Sequence, residues 1–142
     1  MSDRNRRWFL KAAGATIATA AVAGCIGDDD DNDDANWEDV REIVLRGYAT
    51  HWEGVEPDFI DGDQNMTLVL YEGEEYTIEW INGDGIDHDL EIQDGDGNVL
   101  YSTETVSSSG ESASVTFTAS ADMAAYECSY HRGIQRGDIE IR

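Results

Sequence analysis

Residues 66–81 read Met66-Thr-Leu-Val-Leu-Tyr71-Glu-Gly-Glu-Glu-Tyr76-Thr-Ile-Glu-Trp-Ile81. Tyr76, Ile78 and Trp80 alternate with Thr77 and Glu79, so an extended segment here has one apolar and one polar face. The apolar run Met66–Tyr71 precedes it across Glu72-Gly73-Glu74, a tight-turn signal. Short runs of period two on both sides of a turn predict strands.

The same reading extends outward in both directions. Glu42–Tyr48 is a first strand candidate, and 49–65 follows as a long connection containing Trp52, Pro57 and Phe59, with a helical turn after Glu56. His88–Ile92 and Val99–Tyr101 flank Asp94-Gly-Asp-Gly-Asn98, a hairpin turn by composition. That turn lacks the full ligand spacing and closing Glu of a calcium loop. Ser107–Gly110 reads as a loop. Ser114–Thr118, Ala125–Cys128 and Asp138–Ile141 complete the set, and no amphipathic helix of useful length follows Trp37. Seven or eight short strands predict an all-β fold, a two-sheet sandwich or Greek-key barrel.

The 142 residues carry 9 Lys+Arg against 31 Asp+Glu, a net charge of −22. This length allows one ordinary domain with appendages. A nucleic-acid backbone would meet a surface of its own sign, which excludes that class of partner. With 40% hydrophobic residues in alternating runs the chain can build a core.

The N-terminal stretch reads as an address. Arg6-Arg7 precedes an uncharged run from Ala12 to Ala23, too short to span a bilayer as a helix. Val22-Ala23-Gly24-Cys25 has the form of a lipoprotein processing box, with Cys25 as the lipidated residue; cleavage without lipidation is the alternative. The chain thus divides into a twin-arginine export signal at 1–24, an acidic tether at 25–36 containing Asp28–Asp34, and a domain at 37–142. Removing 1–24 takes away Arg4, Arg6, Arg7, Lys11 and Asp3, and with them the only lysine. So acidic a chain suits concentrated salt, where self-repulsion is screened.

With Cys25 assigned to lipid, Cys128 is the only other thiol and has no disulfide partner. A lone thiol in an exported protein is an oxidation hazard unless it is buried or holds a metal. His131 follows three residues later, so thiolate and imidazole on a short turn can reach one point. His88 opens a strand after the loop Asn82-Gly-Asp-Gly-Ile-Asp87, and that strand end can lie beside Cys128. Two imidazoles and a thiolate with a weak axial group make a type 1 copper site. Zinc can use the same three donors, and a buried core thiol with surface histidines is the bland reading. His51 reads as a surface residue and Met123 as core. Arg132 and Arg136 bracket the ligand loop, either as ion pairs with the abundant acids or as a patch where a redox partner docks.

The pattern Trp80-x-Asn82-x-Asp84 with His88-Asp89, then Tyr126-x-Cys128-x-x-His131 and Arg136-Gly-Asp-Ile139, resembles the cupredoxins, and within them the plastocyanin and halocyanin branch of halophilic archaea. The resemblance covers Trp37 to Arg142. It implies a cupredoxin-like Greek-key β-sandwich, one type 1 copper, and His88, Cys128 and His131 as equatorial ligands. Relatives place Met before the Gly that opens the last strand; here Gln135 stands two residues before Gly137. A Gln oxygen is an accepted axial donor and would favour Cu(II); if Gln135 points away, Ile134 leaves the axial side apolar. The implied role is a one-electron carrier, monomeric and no enzyme, lipid-anchored at the outer face of the cytoplasmic membrane with membrane redox proteins as partners. A copper-storage lipoprotein and a binding domain that has lost its metal are the alternatives.

Overall fold

The computed structural model describes residues 37–142, so the expected export signal, the lipidation expected at Cys25 and the expected acidic tether lie outside the described residues. Nine strands form in order: β1 Glu42–Tyr48, β2 His51–Glu56, β3 Leu68–Leu70, β4 Glu75–Asn82, β5 Glu91–Asp94, β6 Val99–Ser102, β7 Ser112–Thr118, β8 Met123–Glu127 and β9 Arg136–Ile141. A single 3-10 turn, Asp58–Ile60, follows β2. They make two sheets, β2-β1-β4-β7 and β3-β9-β8-β5-β6. No helix among the described residues is long and apolar enough to cross a membrane.

The expected sandwich is present with one more strand than counted. β2 lies inside the stretch expected to be a connection. Its inward positions are Trp52 and Gly54, and glycine contributes nothing to an alternation of hydropathy. Gly54 is required there: a Cβ would sit 2.1 Å from the Ile60 carbonyl oxygen, where the 3-10 turn folds back onto the strand. The turn after Glu56 forms as expected.

β4 buries Tyr76, Ile78, Trp80 and Asn82 and exposes the alternate positions more fully. It runs parallel to β1, with Leu45 beside Trp80, and antiparallel to β7, with Tyr76 beside Phe117. The turn Glu72–Glu74 closes through Glu74 N–H to the Tyr71 carbonyl. It joins strands of opposite sheets, because β3 pairs with β9 and not with β4. The β5–β6 hairpin forms around Asp94, whose carboxylate accepts from the backbone N–H groups of Asp96 and Asn98.

Between the sheets lie Trp52, Trp80, Tyr76 and Tyr126, all buried, with Leu45, Leu68, Leu70, Leu90 and Ile92 around them. Trp52 meets Trp80 edge to face, with ring centroids 5.8 Å apart. Each such ring contributes about 4–6 kcal/mol of transfer free energy as an upper bound, which makes this layer the main source of stability. Met123 packs in the same core.

Candidate metal centre

At one end of the sandwich the β1–β2 turn, the loop after β4 and the loop between β8 and β9 come together. Ala49 N–H in the β1–β2 turn donates to the Asp84 carboxylate, Gly83 N–H donates to the Gly47 carbonyl of β1, and the Asn65 side chain, in the connection before β3, donates to the Ile134 carbonyl.

The β8–β9 loop is shaped by its own backbone. Cys128 N–H donates to the Gln135 carbonyl at 3.0 Å, closing the loop at its base. His131 N–H donates to the Cys128 carbonyl, and both Ile134 and Gln135 N–H donate to the His131 carbonyl. Gly133 takes φ +78°, which lets the chain reverse without strain. Cys128, His131 and Gln135 thereby turn inward, while Ile134 points out, 56% exposed. The axial-side alternative of Ile134 has no place in this arrangement.

His88 arrives from the other direction. It does not open β5, as expected, but forms an isolated bridge with Val106 three residues earlier. Asn82, buried at the end of β4, organises the loop before it. Its amide donates to the carbonyls of Ile86 and Val106, and its oxygen accepts from the N–H groups of Asp84 and Gly85.

Four donor atoms converge. Cys128 Sγ lies 3.8 Å from His88 Nδ1 and 3.6 Å from His131 Nδ1. Gln135 Oε1 lies 2.9 Å from His88 Nδ1 and 3.0 Å from His131 Nδ1. The ligand atoms of His88, Cys128 and His131 all fall within 4.8 Å of one another. A thiolate about 2.3 Å and an imidazole about 2.0 Å from one metal are about 3.5–3.7 Å apart at tetrahedral to trigonal angles. The observed sulfur–nitrogen separations are close to that requirement, so the three residues are grouped as a metal ion would need them.

Protonation leads to the same conclusion. His88 Nε2 is 2.7 Å from Asp84 Oδ1, which makes a hydrogen bond only if Nε2 carries the proton. In the neutral ring Nδ1 then presents a lone pair to the Gln135 oxygen. A cation between them turns that repulsion into coordination. The Gln135 oxygen faces both ring nitrogens, where it can accept from a protonated Nδ1 or serve as a donor to a bound metal. In that orientation Gln135 Nε2 is buried without a partner, packed against Gly47 and Trp52.

Burial pushes the Cys128 thiol above its ordinary value. Backbone N–H groups of Asp89, Tyr130 and His131 oppose this, and the Asp89 carboxylate adds to it. A thiol so placed stays protonated until a metal displaces the proton. Asp89 also ties down Ser129, accepting from its N–H and its hydroxyl at 2.7 Å each. The expected core and surface residues fall outside the cluster: His51 stacks on Tyr48, 5.0 Å between centroids. Arg132 pairs with Glu91 at 3.1 Å and Glu127 at 3.2 Å, and Arg136 reaches Gln93 and Glu127. Both arginines are therefore committed to ion pairs with acids of β5 and β8.

Sequence reasoning gave no role to Asn82, Asp84 or Glu127. Asn82-Gly-Asp-Gly carries the signal of side-chain-to-backbone turns, and Asp84 stands four residues before His88. Glu127 has no such signal.

No family model and no curated protein matches the chain. Solved structures do. Auracyanin B aligns with TM-score 0.55 at 18% identity, over 72% of this chain and 88% of its own. Auracyanin A, a blue copper protein of the green thermophilic photosynthetic bacterium Chloroflexus aurantiacus, aligns at 0.53 and 17%, over 71% and 98%. A rusticyanin variant aligns at 0.52 and 17%, over 71% and 76%.

The chain has the cupredoxin fold.

At such low identity the likeness speaks for the architecture alone, and the cupredoxin fold leaves the chemistry to the site. In this cupredoxin fold the candidate donors lie on two separate stretches of chain: His88 in the connection between β4 and β5, and Cys128, His131 and Gln135 in the loop between β8 and β9. His131 is half-buried while His88 and Cys128 are buried, so the imidazole of His131 faces the solvent side of the cluster.

Proposed function

We propose that this chain is a type 1 copper protein that carries single electrons, with His88, Cys128 and His131 as equatorial ligands and Gln135 as the axial one. The observation that carries the reading is the convergence of two Nδ1 atoms, one Sγ and one amide oxygen, with the His88 proton already committed to Asp84. Two imidazoles, one thiolate and a weak axial oxygen are the donor set of a blue centre. Copper in such a set supplies a reversible one-electron couple.

The residues themselves supply rigidity. The backbone-closed loop and the bridge at Val106 fix the stretches of chain that carry the donors, which limits what has to rearrange between oxidation states. Cys128 gives up its proton on metal uptake. His131 provides the exposed edge through which a partner exchanges electrons. Four protein donors leave no vacancy for a substrate, and the protein is accordingly no enzyme. The twin-arginine stretch and Cys25 support export with a lipid anchor at the outer face of the cytoplasmic membrane, and membrane redox proteins as partners of a monomeric carrier.

Addition of Cu(II) to the purified protein tests this. An intense visible charge-transfer band is expected, absent in Cys128→Ser, with a reversible voltammetric wave that separates a carrier from a store. Gln135→Met exchanges a hard oxygen for a thioether and is expected to raise the potential. A colourless mixture with the unaltered protein overturns the reading.

A further inference from the structure

We infer that Asp84 is the carboxylate partner of a metal-bound His88. It is a positioning residue that fixes which ring nitrogen faces the metal and biases the centre toward its oxidised state. The redox half of this inference rests on the copper reading above; the positioning half does not.

The geometry of Asp84 is built and not incidental. Its Oδ2 accepts from Ala49 N–H at 2.8 Å, in the β1–β2 turn, and its Oδ1 accepts from His88 Nε2 at 2.7 Å. Ile86 N–H adds a long contact of 3.4 Å to the same oxygen. Its own N–H is bonded to the Asn82 side chain. The carboxylate is thus pinned from the preceding turn, from its own loop and from the ring it serves. Its side chain is 27% exposed, against none for His88. From the far side Trp80 meets the His88 ring edge to face, centroids 6.1 Å apart. The imidazole is held between an indole and a carboxylate and has one orientation.

Two consequences follow from general chemistry. A carboxylate accepting the outer N–H of a ligating imidazole fixes the tautomer and makes the inner nitrogen a stronger donor. A fixed negative charge one ring away also stabilises the more positive metal state over the less positive one. The two histidines differ in this respect. No carboxylate bonds to His131 among the hydrogen bonds of the described residues, whose Nδ1 shares the Gln135 oxygen. Of the two imidazoles only His88 carries this bias; the Asp89 carboxylate acts separately, on Cys128.

The test compares the unaltered protein with Asp84→Asn and Asp84→Ala in three measurements. Nitrogen NMR of the metal-free protein is expected to show His88 protonated at Nε2. Asp84→Asn keeps an acceptor oxygen and removes the charge. It should hold the tautomer and raise the midpoint potential by about 59 mV, the equivalent of a tenfold change in relative Cu(II) and Cu(I) binding. Asp84→Ala should release the tautomer and weaken Cu(II) binding about 10–100-fold, measured by chelator competition. Should the alanine variant not fold, the near-isosteric Asn variant carries the test. His88 protonated at Nδ1 in the unaltered protein overturns the positioning role, and an unchanged potential in Asp84→Asn overturns the redox bias. A colourless copper mixture with the unaltered protein removes the redox half together with the copper reading, and the tautomer measurement then decides the positioning half by itself.

Discussion

The loop from Cys128 to Gln135 closes on its own backbone, whereas the loop from Asn82 to His88 is held by side chains. In the first, four hydrogen bonds among Cys128, His131, Ile134 and Gln135 fix where three donors point. In the second, the Asn82 amide and the Asp84 carboxylate supply most of the organising bonds, and the backbone contributes the His88–Val106 bridge and the bond from Gly83 N–H to the Gly47 carbonyl. A backbone-closed turn tolerates changes on its surface, because its bonds do not depend on residue type. A side-chain-held loop depends on one or two residues. Each kind of loop therefore fails in its own way.

The largest expected effect lies at the base of the backbone-closed loop. Gly137 pairs with Tyr126 across β8 and β9, and the Tyr126 ring lies over it. A Cβ there would sit 2.3 Å from the Tyr126 hydroxyl. Tyr126 has nowhere to go: it is fully buried and its hydroxyl donates to the Met66 carbonyl. Gly137→Ala is expected to cost about 3 kcal/mol by denaturant unfolding. A cost below about 1 kcal/mol would mean that the base of this loop is not fixed by packing.

Next comes the side-chain-held loop. Asn82→Ala strands the Gly85 and Asp84 N–H groups and the Ile86 carbonyl together, and is expected to cost about 2–3 kcal/mol. It should also weaken metal binding through His88 while leaving the thiolate of Cys128 and the imidazole of His131 in register. The visible band would then persist with altered position and lower affinity. Loss of the band altogether would show that the two loops are not independent.

The same difference explains what was legible in the sequence. Cys128, His131 and Gln135 stand within eight residues of one another, so chain geometry alone brings them near one point. His88 was named for its chemistry, and its neighbours in sequence suggested that it opens a strand, whereas that strand starts three residues later at Glu91. Its placement by a lone bridge at Val106 is a tertiary event with no local pattern. Asp84 is one acid among 31 in the chain, and no composition signal separates the carboxylate that bonds to His88 from those that face water. Along the fold, β4 declared itself through Tyr76, Ile78 and Trp80. β2 stayed hidden because one of its two inward positions is Gly54, chosen for the space left by Ile60 and not for hydrophobicity. The crossing of Glu72–Glu74 between sheets was equally invisible, since a tight turn looks the same whether it joins neighbours or partners across the core.

The smallest expected effect tests whether the Cys128–Gln135 loop needs the ion pairs laid over it. Arg132 follows His131 directly and reaches Glu91 and Glu127, yet its side chain is 54% exposed. Glu127 keeps other partners if Arg132 is removed: Gly133 N–H at 2.6 Å, Gln93 at 2.8 Å and Arg136 at 3.5 Å. Burial works to raise the Glu127 carboxyl, but these bonds outweigh it and hold it below its ordinary value. Arg132→Ala is therefore expected to cost about 1 kcal/mol or less, and to leave the visible band of the copper-loaded protein where it was. A shifted band with unchanged stability would show that the side-chain pairs, and not the loop's own backbone, set the direction in which His131 points.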